Sequence, residues 1–201
     1  MPDRLAADAP GVETAARLLR DGELVAFPTD TVYGIGCRIG DEVSLARLFA
    51  AKRRQIDKAV AWLVVSMAAV RSHGFQPAPQ ALQLADRFWP GPLTLVLPAI
   101  DGRTTQGFRV PDHPVALALL AAAGPLAVSS ANRSGEPETL DADDVAIAFA
   151  DSDEPAAILD GGRVPGGVAS SVIDLSGTRP RLLREGALPR AQIEGVVGPI
   201  D

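Results

Sequence analysis

The stretch Leu24-Val25-Ala26-Phe27-Pro28-Thr29-Asp30-Thr31-Val32-Tyr33-Gly34 decides the architecture. Four consecutive apolar residues closed by a proline read as a short buried strand, since a strand covered on both faces has no need to alternate. The Thr29-Asp30-Thr31 that follows reads as a polar turn at the end of that strand. Upstream, residues 12–20 place Val12, Ala15, Ala16, Leu18 and Leu19 on one broad helical stripe, and Asp21-Gly22 stops it. Downstream, residues 41–53 read as a second helix with Val43, Leu45, Ala46, Leu48 and Phe49 inward. Lys52 and Arg54 then fall at its C-terminal end, where cations offset the helix dipole.

The alternation continues along the chain. Strands are expected at 60–65, 93–97, 126–129, 157–159 and 171–175, and helices at 79–88, 114–123 and 142–149. Interleaved helices and strands predict an α+β, layered α/β fold with an open, twisted β-sheet flanked by helices. The sheet should be mixed, because the 97–108 link is too short or irregular for a helical crossover. No linker, repeat or composition break divides the chain, so one domain over 1–201, without an additional C-terminal domain, is expected. Gly34, Gly36 and Gly40 have one residue too many for a dinucleotide fingerprint and read as turn glycines.

Composition narrows the function. With 201 residues, 47% of them hydrophobic, the chain can bury a sizeable core. Its net charge of −6 argues against a protein that coats nucleic acid through bulk charge, though a local basic cleft stays open. The lone Cys37 cannot make an intrachain disulfide, and with only His73 and His113 beside it no zinc-type ligand spacing exists. Residues 115–128 are the most apolar segment, but Gly124-Pro125 interrupts them and they are too short to span a membrane. With no signal-peptide pattern at the N-terminus, a soluble, cytoplasmic protein is expected. Seventeen of the 19 basic residues are arginine; the two lysines, Lys52 and Lys58, lie within one seven-residue stretch.

The chemistry-bearing residues are hydroxyls, amides and cations at strand ends and turns: Thr29, Thr31, Lys52, Arg54, Lys58, Arg109, Ser129, Ser130, Asn132, Ser170, Ser171 and Arg184. No P-loop occurs. His113, between Asp112 and Pro114, reads as a helix-entry residue, His73 as a loop residue, and nothing in the sequence supplies a base for Cys37. The remaining inventory suits a site that clamps a polyanion, since phosphoryl and nucleotidyl transfer rest on positioning and charge neutralisation more than on a covalent protein group.

Seven segments in order carry a resemblance. They are Pro28-Thr29-Asp30-Thr31-Val32-Tyr33-Gly34; Lys52-x-Arg54 with Asp57-Lys58; Trp89-Pro90-Gly91-Pro92-Leu93-Thr94; and Arg109-Val110-Pro111-Asp112-His113-Pro114. After these come Ser129-Ser130-Ala131-Asn132-Arg133-Ser134-Gly135, Ser170-Ser171-Val172-Ile173-Asp174 and Leu183-Arg184-Glu185-Gly186. Over nearly its whole length the chain resembles the YrdC-like family of threonylcarbamoyl-AMP synthases, in the short, single-domain form. The resemblance implies a YrdC/RibB-like sheet around a concave cleft. It implies an enzyme that joins L-threonine, bicarbonate or CO2, and ATP into threonylcarbamoyl-AMP with release of pyrophosphate, the first step toward N6-threonylcarbamoyladenosine at tRNA position 37.

By the same resemblance Lys52, Arg54, Ser130 and Asn132 match the catalytic KxR and SxN signature. Thr31, Arg109, Ser130 and Ser170 match threonine-binding positions, and Arg54, Lys58, Thr105, Asn132 and Arg184 match ATP-binding ones. Mg2+ would come with ATP, with no metal ligand from a protein side chain. A downstream tRNA-modifying transferase complex and a weak RNA contact are the implied partners. Lys52, placed at a helix end, should be replaceable by alanine without unfolding. Departures from the family pattern are Arg53 and Gln55 where Lys-Gly-Arg-Pro is usual, Ala59-Val60 after them, and Leu63 where longer members carry a histidine. Two rivals share the fold: an RNA-binding or ribosome-maturation module, and a paralogue with altered activity. The glycine-rich segment 161–167 is the first candidate for a loop closing over substrates.

Overall fold

The structure is a computed structural model that describes residues 2–53 and 60–201. Its elements run β1 (Asp3–Ala6), α1 (Ala9–Arg20), β2 (Val25–Pro28), β3 (Tyr33–Arg38), α2 (Glu42–Ala51), β4 (Ala61–Leu63), α3 (Met67–Ser72), α4 (Pro79–Phe88) and β5 (Leu93–Pro98). They continue as β6 (Thr105–Arg109), α5 (Pro114–Ala123), β7 (Leu126–Ser130), α6 (Ala142–Ala148), β8 (Ala157–Asp160), β9 (Ser171–Asp174), β10 (Arg181–Arg184) and α7 (Arg190–Val197). The strands form one sheet in the order β1-β8-β2-β3-β7-β4-β6-β5-β9-β10. It is mixed: β2 pairs β3 antiparallel and β8 parallel, and β5 pairs β6 antiparallel and β9 parallel. The 97–108 link is thus a hairpin connection rather than a crossover.

Capping sets the helix starts. Asp8, Asp41, Ser66 and Asp141 accept from main-chain amides of their helices' first turns, and Pro79 and Pro114 open α4 and α5 where a missing amide hydrogen costs nothing. Among the described residues no helix is long and apolar enough to cross a membrane.

The strand alternation sorts the core by sheet face. On one face Leu93, Leu95, Leu97, Phe108 and Ile173 pack under α3, α4 and α7, with Trp62, Phe75 and Phe108 meeting edge to face. The same face carries Ala26, Tyr33, Ile35 and Cys37 against α2 and α6. On the opposite face Val25, Phe27, Leu126, Val128 and Leu159 pack under α1 and α5. Those two helices cover only that end of the sheet. Beyond them, Val96, Gly107, Val172 and Asp174 on the same face stay half-exposed and line a cavity.

One strand corrects the sequence reading. Gly34 and Gly36, expected to make a turn, lie inside β3, paired with Ser130 and Val128 of β7. Added Cβ atoms there would stand 2.8 Å and 3.0 Å from the Val128 methyls, so glycine is what lets Val128 and Phe27 close over the strand.

Candidate substrate cleft

On the uncovered face, alternation brings Thr94 and Val96 of β5, Thr105, Gly107 and Arg109 of β6, Val128 and Ser130 of β7, and Val172 and Asp174 of β9 to one side. They line a cavity of about 510 Å3, joined by Thr29 and Thr31 from the β2–β3 turn and by Ser170 and Arg184. Gly34, Ala61 and Gly107 in its lining keep it open. A register shift between Leu182 and Arg184 in the β10–β9 pairing marks a bulge. Strict alternation would put Arg184 on the same side as Leu182, which packs toward the core; the bulge turns the guanidinium into the cavity instead.

Arg109 anchors one end at 6% exposure. Its Nε donates to the Gly91 carbonyl (3.0 Å), Nη1 to Thr31 Oγ1 (2.9 Å) and Nη2 to Asp30 Oδ1 (2.5 Å). Burial pushes its pKa down, and Asp30 opposes that shift. An arginine carries five N–H groups, so one on each terminal nitrogen is left without an acceptor among the described residues, a pattern matched to a carboxylate's two oxygens. Thr29 Oγ1 donates to the Val32 carbonyl at 2.7 Å. Thr29 Oγ1 also accepts from the Thr31 and Val32 amides (3.2 and 3.3 Å) and meets Thr31 Oγ1 at 3.1 Å. Accepting from Arg109 Nη1, Thr31 Oγ1 keeps a second lone pair for a ligand, which suits an amine.

Across the cavity, Ser170 Oγ meets Thr94 Oγ1 at 2.9 Å. Arg184 donates to the Ser170 carbonyl from Nε (3.0 Å) and Nη2 (2.8 Å). Burial lowers the Arg184 pKa, opposed by Glu138. Arg109, paired with Asp30, offers N–H geometry, while Arg184 brings positive charge into the same space, which favours an anionic ligand.

The third group is the Ser130–Asn132 turn. Ser130 Oγ donates to Asn132 Oδ1 (2.5 Å), and Asn132 Nδ2 donates to the Glu136 carbonyl (2.7 Å), so the asparagine amide orients the serine. Lys52 caps α2 at 2% exposure, and its ammonium donates to the Ser130 and Asn132 carbonyls and to Asn132 Oδ1. Lys52 stands at the C-terminal end of α2, as expected, yet it is buried beneath the turn, because the left-handed Arg53 and the Ser134 amide bonded to the Lys52 carbonyl (3.0 Å) wrap the chain over it.

The structure thus brings Thr31, Thr105, Arg109, Ser130, Ser170 and Arg184 into one cavity, with Lys52 and Asn132 behind Ser130. Arg54 and Lys58 lie outside the described residues. Leu63 lines the cavity. Ser171 turns away, donating to the Leu188 carbonyl at 2.5 Å. His113 is the residue before α5, as expected, and burial holds it below the usual imidazole range. Cys37 is fully buried and its thiol is pushed up to about 12. The segment 161–167 is tethered to the rest of the chain. Tyr33 Oη donates to the Gly162 carbonyl (2.8 Å), and the Val164 and Gly167 amides donate to the carbonyls of Leu140 and Thr31 (2.8 Å each). Asp30 and Thr94 had no role assigned from the sequence; their signal was membership of two of the seven motifs.

No group of three or more His, Cys, Asp or Glu able to hold a metal occurs among the described residues. Asp174, the one carboxylate among the described residues that line the cavity, is already engaged by Ser176 and Arg181.

The family model for Sua5, YciO and YrdC proteins, described as "Telomere recombination", matches residues 17–186. The chain is 41% identical to threonylcarbamoyl-AMP synthase of Bacillus subtilis, over 98% of this chain and 60% of that protein. Identity to the Pyrococcus abyssi enzyme of the same name is 42%, over 94% and 58%, so the chain spans about three fifths of the length of these two relatives. A putative threonylcarbamoyl-AMP synthase of Mycobacterium tuberculosis is 38% identical, over 94% of this chain and 89% of that one. Among solved structures, P. abyssi Sua5 complexed with L-threonine superposes with a TM-score of 0.89 at 39% identity, covering all of this chain and 62% of that one. E. coli YciO superposes with a TM-score of 0.79 at 25% identity, over 93% and 96% of the two chains.

Proposed function

The chain belongs to the Sua5, YciO and YrdC family, and we propose that it is a threonylcarbamoyl-AMP synthase acting on L-threonine, bicarbonate or CO2, and ATP. The observation that carries this reading is the single cavity in which Arg109 and Thr31 face Ser170, Arg184 and Ser130. A carboxylate anchor and an amine acceptor side by side fit an α-amino acid, and the second guanidinium with the Ser130 turn fits a triphosphate.

In this mechanism the two N–H groups left on Arg109 take the threonine carboxylate, and the Thr31 lone pair accepts from the amino group. The amine, its ammonium proton released to solvent, adds to CO2: an N–C bond forms as one C=O π bond opens, the nitrogen gives a second proton to solvent, and a carbamate results. A carbamate oxygen then attacks the α-phosphorus of ATP as the bond to the β-phosphate oxygen breaks, and pyrophosphate leaves. Arg184 and, by family resemblance, Arg54 and Lys58 neutralise charge on the phosphates, while Lys52 and Asn132 hold Ser130 in place. Thr105 lies at the cavity edge, in reach of the nucleotide. Seating the unstable carbamate in a fixed cleft limits its loss to water. Mg2+ accompanies ATP as substrate. The product supplies a transferase complex that modifies tRNA in the cytoplasm, and contact with RNA is weak.

Incubation with ATP, bicarbonate and each amino acid in turn, followed by pyrophosphate release and product mass, tests the reading. Threonine should give the acyl-adenylate. ATP binding without any threonine-dependent product would point to the paralogue with altered activity, and tight RNA binding with a steep salt slope and no nucleotide affinity to the RNA module.

A further inference from the structure

Asp30 lies in the turn between β2 and β3, and its Oδ1 accepts from two elements at once: Arg109 Nη2 at the end of β6 (2.5 Å) and the Asp112 amide before α5 (3.0 Å). The ion pair is buried on both sides, with side-chain exposures of 8% for Arg109 and 14% for Asp30. A guanidinium is a rigid planar fork, so fixing Nη2 on Asp30, Nη1 on Thr31 and Nε on Gly91 leaves the group no rotation. Each of the three acceptors belongs to a different segment or position. Asp30 alone is charged, and it alone ties Arg109 to the α5 entry.

We propose that Asp30 is a positioning residue of the amino-acid subsite: it sets the Arg109 guanidinium so that one free N–H on each terminal nitrogen meets the substrate carboxylate. The inference rests on the assignment of Arg109 and Thr31 to threonine made above. Its energetic logic follows from burial. Without an anionic partner, a guanidinium this deep would turn toward other acceptors or draw in water, and both the carboxylate fork and the Thr31 hydroxyl that accepts from Nη1 would lose their orientation. The Asp30 carboxylate also cancels the charge of Arg109 locally. Entry of a second carboxylate is therefore governed by hydrogen-bond geometry rather than by bulk attraction, and the subsite should discriminate on shape. The nucleotide side, built on Arg184 and Ser130, has no contact with Asp30.

The experiment compares wild type with Asp30→Asn and Asp30→Glu, measuring threonine and ATP KM and kcat by pyrophosphate release, threonine affinity by calorimetry, and the melting temperature of each. Asp30→Asn keeps the shape and should raise threonine KM about tenfold or more, as a displaced anchor does, while ATP KM and kcat at saturating threonine stay within about twofold. Asp30→Glu, which restores the charge on a longer arm, should recover part of the threonine affinity. An unchanged threonine KM in Asp30→Asn overturns the proposal, as does a parallel loss of threonine affinity, ATP affinity and melting temperature, which marks a purely structural residue. Should Asp30→Asn fail to fold, Asp30→Glu decides alone, since a normal threonine KM there is incompatible with an orientation-setting role. Absence of threonine binding in wild type overturns the functional reading itself, before any substitution is compared.

Discussion

Lys52 reaches across 80 residues of sequence to donate to both the main-chain and the side-chain carbonyl of Asn132. The Ser130 carbonyl is a third acceptor in the same turn. Lys52→Ala should therefore lower stability as well as activity, because buried carbonyls lose their charged donor, at about 1–3 kcal/mol. Denaturant midpoints and kcat measured on the same preparations check this. A fully stable but inactive Lys52→Ala would mean that the lysine acts on substrate and not through the turn.

Arg53 follows in the left-handed region at φ +51°, the one non-glycine residue with positive φ among the described residues. That conformation costs an L-residue about 1–2 kcal/mol, and the family resemblance puts glycine here. The side chain pairs with Asp151, which also pairs with the buried Arg133. Arg53→Gly should thus be close to wild type in stability, since relief of strain offsets the lost ion pair, whereas Arg53→Ala keeps the strain and loses the pair. Urea midpoints should rank Arg53→Ala lowest of the three. Equal loss in both variants would show that the ion pair, not the backbone, dominates.

How far the sequence alone reaches can be judged from particular elements. The bounds of α4 and α5 are legible because Pro79 and Pro114 mark their starts, and Gly124 ends α5. Strand β3 is not, because its glycines answer to Val128, more than 90 positions on in sequence, and β6 is not, because Phe108 is the only apolar side chain in Thr105-Gln106-Gly107-Phe108-Arg109. The site shows the same division. Motif membership identifies Arg109, Ser130 and Arg184, but the aim of Arg184 depends on a bulge, and the partner of Arg109 stands 79 residues away. Such features are properties of strand pairing, which no local pattern encodes.

Burial of Cys37 and Tyr33 makes stability fall in alkali. The Cys37 thiol rises from 9.0 to about 12 and the Tyr33 phenol from 10.0 to about 12, each chiefly by desolvation. The native state then holds protons that the unfolded chain releases, so stability is full below the unfolded values and declines between about pH 9 and 12, by about 1.4 kcal/mol per pH unit for each group. Cys37→Ala should delay the onset from about pH 9 toward pH 10, where Tyr33 takes over, and should leave activity at neutral pH unchanged. Melting temperatures across that range check it; an unchanged alkaline slope in the variant would remove Cys37 from the account.

Gly166 lies against the main chain of Thr31, a residue that lines the cavity. A Cβ there would stand 1.9 Å from the Thr31 carbonyl oxygen and 2.6 Å from its carbon, main-chain atoms that cannot step aside. The neighbouring Gly167 amide donates to that same carbonyl at 2.8 Å. Gly166→Ala should therefore push the segment off the β2–β3 turn, break that bond and release Thr31 from its place beside Arg109. The expected result is a threonine KM raised more than the ATP KM, with stability reduced by about 2 kcal/mol or more, as for other forced main-chain clashes. Gly162→Ala serves as the control, since a Cβ there meets nothing within 4 Å and the residue carries only the strain of its φ of +77°. It should lose stability while keeping the threonine KM near wild type. If instead both variants raise threonine KM alike, the segment acts on the subsite through its backbone conformation as a whole and not through the Gly166 contact with Thr31.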